Sequence, residues 1–277
     1  MQTALNKTTP GWQAQLRLGF RSTPNKTILA ERYRHGPLSV QRAFYPEQDL
    51  CHVYLLHPPG GVVGGDTLDI QVDVAHNANA LITTPGAGKF YRSCGPTALQ
   101  QQHLNVSGGS LEWFPQENIL FPGAEATIST QVRLDNQAQF IGWEINCLGR
   151  PTINERFDQG EAVFKFALWR DSQPLLLERM VVQGEKGLTG SASLRGYPVM
   201  ASLYATLEET SLIDKVRTLI DTEENQQLGI THTDGVLIVR YLGGSTEQVR
   251  NLFKRIWKEL RPIILNRPAC EPRVWNT

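Results

Sequence analysis

The stretch that decides the fold class is VYLLHPPGGVVGGDTLDIQVDVAHNANALITTPGAGKFYRS, residues 53–93. Within it, residues 68–74 (LDIQVDV) alternate strictly between apolar and polar side chains. An alternation with a period of two predicts a β-strand with one buried face. The short apolar runs at 53–56 and 80–84 predict further strands on either side, so this part of the chain is expected to consist of consecutive strands joined by loops.

Two glycine-rich loops separate these strands, HPPGGVVGGD at 57–66 and PGAGK at 85–89. Glycine permits a positive φ and the close approach of another chain segment. Two such loops in one short stretch are more than ordinary turns require. We therefore expect Gly64 and Gly65 to be needed for their backbone conformation or for a close contact.

Strand signals continue on both sides of this centre. The first strand is predicted at Trp12–Phe20, and further alternating segments follow through residue 182, spaced by turns. This spacing is typical of an all-β sandwich, a barrel or a solenoid. The sequence contains no repeat of fixed length that decides between these mainly β architectures.

The last third of the chain has a helical pattern. One amphipathic helix is predicted from Ser211 and a second from Ser245 to about Arg261-Pro262, with a hairpin across Asp234-Gly235 between them. The apolar tail 272–275 is expected to dock. We predict a flexible leader at residues 1–10 and one domain at 11–277, with a β scaffold over about 11–200 and an α+β part over about 201–277.

Composition argues against several classes of partner. The chain has 277 residues, 40% of them hydrophobic, and a formal net charge of zero, so nothing attracts it as a whole to nucleic acid or to an anionic membrane surface. It has no apolar run of the roughly 18 residues that a membrane span needs. Its start lacks the apolar core of a signal peptide. The four cysteines form no C-x-x-C pair, so a reducing, cytoplasmic location is predicted.

Catalytic and metal-binding motifs are weak. The segment before Lys89 lacks the first glycine of a P-loop, and Phe90 stands where a serine or threonine should hold Mg²⁺. A phosphate- or nucleotide-using enzyme built on the Gly86–Lys89 loop stays as the alternative function. The six histidines show no metal-ligand spacing, so neither catalytic residues nor a firm metal site nor a permanently bound cofactor is predicted.

Two carboxylates lie in apolar surroundings. Glu144 follows Trp143 on a predicted strand, and Glu178 follows three leucines. A buried carboxylate is costly unless it is paired or hydrated. Two interpretations stay open at this point: ion pairs, with Arg150 or Arg179 as partners, or the wall of a polar channel.

Several segments jointly resemble the urease accessory protein UreD, called UreH in some systems. They are HPPGGVVGGD (57–66), TTPGAGKFYRS (83–93), PQENILFPGA (115–124), WEINCLGRP (143–151), LIVRYLG (237–243) and WKELRPIILNRPACEPRVWNT (257–277). They follow the order of the family from about residue 30 to the end. Gly88 and Pro122 depart from the usual pattern, which affects details of the loops.

The resemblance implies a fold and a role. It implies a right-handed β-helical scaffold and a non-enzymatic subunit that joins UreF and the GTPase UreG to apo-urease, with a dimer formed through the UreF complex. Nickel would pass transiently, and an internal polar tunnel is its proposed route in the family. Asp66, Glu144 and Glu178 match the acidic positions of that tunnel, while Lys89 and Arg92 lie in the loop expected to contact partners.

Overall fold

The chain is described by a computed structural model over residues 11–135, 137–208, 210, 212–220 and 227–276. The predicted leader, residues 1–10, lies outside the described residues. Strands dominate, so the prediction of a mainly β protein is confirmed. In chain order the strands are β1 (Gln13–Ser22), β2 (Thr27–His35), β3 (Ser39–Val40), β4 (Cys51–Leu56), β5 (Thr67–Val74), β6 (Asn79–Thr83), β7 (Gly88–Phe90), β8 (Ala98–Ser107), β9 (Ser110–Phe114), β10 (Asn118–Leu120), β11 (Glu125–Asp135), β12 (Gln139–Arg150), β13 (Glu155–Arg156), β14 (Glu161–Arg170), β15 (Gln173–Gln183), β16 (Val199–Thr206), β17 (Gln227–Thr233) and β18 (Val236–Gly243).

The first sheet has seven strands in the spatial order β15-β14-β11-β8-β5-β1-β2. Its five central strands are parallel, whereas β2 and β15 run antiparallel to their neighbours at the two edges. In β5 the apolar residues are buried and the polar ones partly exposed, as the alternation predicts. One face of this sheet therefore belongs to the core and the other to solvent.

The second sheet contains β17-β18-β16-β12-β9-β6-β4-β3, with the short strands β7, β10 and β13 joined at its side. Strands β4, β6, β9 and β12 are parallel, and β16, β18 and β17 continue the sheet in antiparallel fashion. Residues of β4, β9 and β12 are buried on both faces. This sheet therefore lies in the middle of the molecule.

Successive strands enter the two sheets in turn. From β4 to β14 the chain alternates between β4, β6, β9 and β12 of the second sheet and β5, β8, β11 and β14 of the first. Each return places the new strand parallel to the previous one of the same sheet. Over the described residues both sheets are open, with β15 and β17 as the last strands at one side.

Two apolar cores result from this layering. The first lies between the sheets and combines residues such as Val72 and Leu104 with Ile82 and Trp113. The second lies between the outer face of the second sheet and the long C-terminal helix, and it includes Trp143. Side chains of β12 alternate between these two cores, and this alternation decides which way the Glu144 carboxylate faces.

The described residues contain three α-helices: α1 (Gly184–Thr189), α2 (Leu212–Ile220) and α3 (Thr246–Leu265). The two predicted C-terminal helices and the hairpin β17–β18 are confirmed, whereas α1 was not predicted. The predicted start of the first helix, Ser211, lies outside the described residues. Ser245 caps α3 by accepting the Gln248 N–H at 3.3 Å. The predicted end at Pro262 is wrong, because the helix continues to Leu265, where Ile264 and Leu265 pack on the second core.

Strands of the C-terminal third continue the second sheet. β16 pairs with β12, and β18 pairs with β16. The predicted α+β part therefore shares a sheet with the β scaffold. The tail docks as expected, since the Trp275 ring lies 5.4 Å from that of Trp143 and its indole N–H donates to Thr83 Oγ1 at 2.9 Å.

Candidate functional site: an acidic cavity between the two sheets

Polar side chains interrupt the first core along two register rows. On the first sheet, Gln102 pairs in register with Thr130, and the same row continues through Phe166 to Glu178. On the second sheet, the row of Glu144 contains Ser202 and Arg240. Phe166 and Glu178 of the first row and all three residues of the second row line one cavity.

This first cavity has a volume of about 810 Å³ and is lined in part by residues of the edge strands β15 and β17. Glu144 and Glu178 both line it, so the structure brings together two of the three predicted acidic residues. Phe166 and Tyr204 form an apolar wall, with their rings stacked 3.7 Å apart. The cavity thus combines carboxylates with apolar walls.

Glu178 is the paired carboxylate of the two. It accepts hydrogen bonds from both terminal nitrogens of Arg240, with Nη1 at 3.1 Å from Oε2, and from the Tyr204 hydroxyl at 3.0 Å. The predicted partners Arg150 and Arg179 are wrong. Arg150 pairs with Glu155 in β13. Arg179 borders the cavity but is exposed, and it follows Glu178 directly on β15, where successive residues face opposite sides.

Glu144 is the unpaired carboxylate. The Thr130 hydroxyl lies 2.5 Å from its Oε1, and no lysine or arginine of the described residues forms an ion pair with it. Burial raises the pKa of Glu144 to about 7, opposed by the Thr130 hydrogen bond and supported by the negative charge of Glu178. The same burial and the two carboxylates raise the pKa of Tyr204 well above its usual value.

A second cavity, of about 300 Å³, lies under the glycine-rich loops. Residues of both loops line it, together with Gln102, Trp113 and Asn118. Two polar contacts join its wall to that of the first cavity. Gln102 Oε1 lies 2.8 Å from Thr130 Oγ1, which also contacts Glu144, and the Asn118 amide donates to Asn146 Oδ1 at 3.1 Å.

Asp66 lies apart from the other two carboxylates and lines neither cavity. Its two oxygens accept backbone N–H groups, from Trp12 at 2.8 Å and from Val63 at 2.9 Å. Asp66 is near His57, and His57 lines the second cavity. Burial lowers the pKa of His57, and the charge of Asp66 opposes this shift. Asp66 thus holds the loop at the second cavity.

Gly64 and Gly65 of the first loop lie against the segment that follows the second loop. A Cβ on Gly64 would lie 2.1 Å from Ser93 Oγ, and Gly65 has a φ of +91°. Both of the properties expected of this pair are therefore present, a close approach at one residue and a left-handed backbone at the next. Lys89 and Arg92 are exposed nearby, and the stem of Arg92 lies over Gly123.

Substituting Gly65 with valine should lower the free energy of unfolding by roughly 1–3 kcal/mol. A β-branched residue is strained at a φ of +91°. The matched control is Gly86→Ala, since a Cβ at Gly86 would meet no atom within 4 Å. Chemical denaturation of both variants measures the difference. Equal stability of Gly65→Val and the wild type would mean that the positive φ is not required.

Four residues of the site escaped the sequence analysis: Gln102, Thr130, Tyr204 and Arg240. Two of these four residues stand out in the sequence pattern of their strands. Thr130 occupies an inward position of an otherwise apolar alternation, and Arg240 is the charged residue of an apolar strand. Their pairing with Glu144 and Glu178 depends on register between strands distant in sequence, which the sequence alone does not specify.

Metal-binding side chains are sparse. Within the described residues no three or more His, Cys, Asp and Glu side chains are grouped as a metal site. His52, adjacent to Cys51, contacts Glu47 at 2.8 Å and is buried. His57 lines the second cavity instead, so within the described residues it does not form a metal site with Cys51 and His52.

Comparison with known proteins decides the family. The model of the UreD urease accessory protein family matches residues 13–276. The chain belongs to the UreD family. It is 47% identical to the urease accessory protein UreD of Alcanivorax borkumensis, over 96% of this chain and 93% of the relative. The UreD proteins of Aliivibrio fischeri (99% of both chains) and Escherichia coli (96% and 98%) are each 44% identical to it.

Membership of the UreD family makes this chain a urease accessory protein with a role in urease maturation, and not an enzyme. The alternative of a phosphate- or nucleotide-using enzyme is therefore wrong. The geometry agrees, because the Gly86–Lys89 loop leads into strand β7 rather than a helix, so no helix N-terminus faces an anion. No helix in the described ranges has both the length and the apolar character to cross a membrane.

Proposed function

We propose that this UreD family member carries Ni²⁺ through its interior during urease maturation. The path of the ion runs from the second cavity, which lies under the glycine-rich loops, to the first cavity. It passes between the two sheets. The observation that supports it most is the pair of polar contacts joining the two cavity walls, Gln102–Thr130–Glu144 and Asn118–Asn146. Elsewhere the space between the sheets is filled by apolar side chains.

The chemistry of the walls suits transit rather than storage. Carboxylate, hydroxyl and amide oxygens bind Ni²⁺ less tightly than imidazole or thiolate groups do. An ion in transit must leave as readily as it enters. Glu144 and Glu178 would lower the cost of dehydrating the cation in the first cavity. In this proposal Asp66 serves the entrance side, through the loop at the second cavity.

The scaffold itself supports a bridging role. We propose that it is a right-handed β-helical fold, a proposal that rests on the alternation of successive strands between two largely parallel sheets. Each end of the path then lies at a different part of the surface. Lys89, Arg92 and the Gly64-Gly65 loop would contact one partner near the second cavity.

We further propose that the partners are UreF, UreG and apo-urease, with a dimer formed through UreF, and that the complex is cytoplasmic. The relatives' name, urease accessory protein, supports urease as a partner. In this arrangement the GTPase chemistry belongs to UreG. Residues 11–200 act as the scaffold, and residues 201–277 extend it.

Glu144→Gln tests the path. The amide keeps the shape of the side chain and removes its charge, so co-purification with UreF and urease should be unchanged while urease activation in cells falls at least several-fold. The control is Glu31→Gln at an exposed position. Activation is measured beside the melting temperature of the purified complex. Full activation by Glu144→Gln would exclude a transport role for this carboxylate, and lost co-purification would assign it to assembly instead.

A further inference from the structure

The two edge strands of the first sheet differ in how they are protected. An edge strand exposes unpaired backbone N–H and C=O groups, and proteins commonly shield it with charged side chains. Residues 30–35 of β2 (AERYRH) are all exposed and include two arginines, so this edge has such protection. The opposite edge, β15, has 11 residues and contains three consecutive leucines at 175–177. The sheet therefore has one charged edge and one largely apolar edge.

The solvent face of β15 is apolar on both sides of a single cation. Leu177 is 62% exposed, Val181 is partly exposed, and their partners across β14 are an alanine and a valine. In the row between them, Arg179 stands directly opposite Lys165. A pair of cations thus lies between two apolar rows at the edge of the sheet.

This pair of cations is not compensated by the described residues. Like charges directly opposite each other destabilise a sheet. No ion pair among the described residues includes Lys165 or Arg179. On the same face, Asp69 stands three strands away in their register row, and Glu161 stands four residues away along β14. At the usual spacings each is roughly 13–14 Å from Lys165, where salt screens most of the attraction.

We propose that β15 is a docking edge for an extended, acidic segment of a partner protein, which pairs with it as a further strand of the first sheet. In this mode of binding the backbone hydrogen bonds give affinity, and alternate side chains give specificity. An acidic residue of the added strand lies beside Arg179. Apolar residues two positions to either side of it lie beside Leu177 and Val181. The segment therefore has the pattern apolar-x-acidic-x-apolar.

A second copy of this chain fits the edge less well. Two β15 strands could pair antiparallel with Leu177 of one beside Val181 of the other. This register would place their Arg179 residues directly opposite each other. With Lys165 of each copy, four cations would then stand in one row. A partner with a carboxylate at this position removes the repulsion instead of doubling it.

The docking edge lies beside the first cavity. Leu177, Glu178 and Arg179 all border that cavity, so a strand added to β15 gives the bridging subunit a defined attachment next to it. The inference rests on the edge and its charges. It holds whether or not a cation passes through the interior.

Hydrogen–deuterium exchange tests the docking on the full-length chain, alone and after co-expression with apo-urease, UreF and UreG. The solvent-facing backbone amides of β15 should exchange at least about ten-fold more slowly in the complex, because the added strand accepts their N–H groups. The partner that confers this protection is then purified for measurements of its dissociation constant.

Two substitutions of exposed side chains test the chemistry of the added strand. Arg179→Glu should weaken binding of that partner at least about ten-fold, because two carboxylates then stand side by side. Leu177→Lys should weaken it similarly by shielding the edge. The matched control is Arg32→Glu, the same charge change on the opposite edge strand, which should leave binding unchanged. Melting temperatures confirm folding, and Arg179→Gln, which only removes the charge, replaces Arg179→Glu if the latter is destabilised.

Three results would overturn the docking edge. The first is exchange of β15 that co-expression leaves unchanged, whether or not a complex forms. The second is binding that Arg179→Glu does not weaken, which would exclude an acidic segment. The third is protection of β15 in the free chain that grows with its concentration, which would identify a second copy as the occupant. None of these results depends on the outcome of Glu144→Gln.

Discussion

Replacing Arg261 with methionine is expected to lower the free energy of unfolding by about 3–5 kcal/mol. Arg261 is a fully buried residue of α3 and pairs with two carboxylates, those of Glu47 and Glu112. Its nitrogens lie 2.9–3.1 Å from the Glu112 oxygens and 2.7–2.8 Å from those of Glu47, and Nη1 also donates to the Pro268 carbonyl. Burial alone would lower the pKa of Arg261, but the hydrogen bonds and charges of Glu47 and Glu112 outweigh it and raise the pKa, so the side chain stays charged. Methionine fills the volume but leaves the carboxylates without their cation.

The control for this prediction is a double variant that removes the charge of Arg261 together with that of one partner, Glu112. Glu112 is fully buried and also accepts the Trp257 indole N–H at 2.6 Å. In the double variant Glu112→Gln/Arg261→Met one uncompensated charge is gone, so part of the lost stability should return. Urea denaturation of the single and double variants measures the coupling. A loss below about 1 kcal/mol in Arg261→Met would contradict the prediction, because it would mean that the carboxylates take up protons or water at little cost.

The sequence could predict the features of the fold that depend on residues close together in the chain. The strand β5, the cap at Ser245, the apolar stripe of α3 and the docked tail were all predicted, because each depends on neighbours within a few residues. The assignment of each strand to one of two sheets was not, since it depends on pairing between segments about thirty residues apart. At Pro262 the local rule that a proline ends a helix is overridden, because tertiary packing holds the last turn of α3.

The candidate site was predictable to a similar extent. Two carboxylates in apolar strands, Glu144 and Glu178, were identified from their neighbours, and the structure places both in one cavity. The partner of Glu178 was missed, because Arg240 lies three strands further along the chain and in the other sheet. Asp66 matched the family position, yet its carboxylate is occupied by backbone N–H groups. Sequence position indicates the residue type at a site but not the direction in which its side chain points.

Neighbouring residues of β12 should respond in opposite ways to substitution. Trp143 faces the second core, where it stacks on Phe114 with ring centroids 4.2 Å apart, contacts the Trp275 ring at 5.4 Å and donates its indole N–H to the Pro115 carbonyl at 2.8 Å. Trp143→Ala should therefore lower the free energy of unfolding by about 3–5 kcal/mol through the lost ring and the cavity it leaves. Glu144→Gln, one residue on and facing the first cavity, should change it by less than about 1 kcal/mol, because no buried cation loses a partner.

Trp143→Phe is the matched control for the aromatic residue. It keeps a ring against Phe114 and Trp275 and removes the hydrogen bond to Pro115, so its loss should be clearly smaller than that of alanine. The measurement is chemical denaturation of all three variants, with intrinsic fluorescence following the docking of the tail. If Glu144→Gln were destabilised as strongly as Trp143→Ala, Glu144 would be a structural group of the core. In that case the loss of urease activation in this variant would follow from unfolding and would carry no information about a cation path.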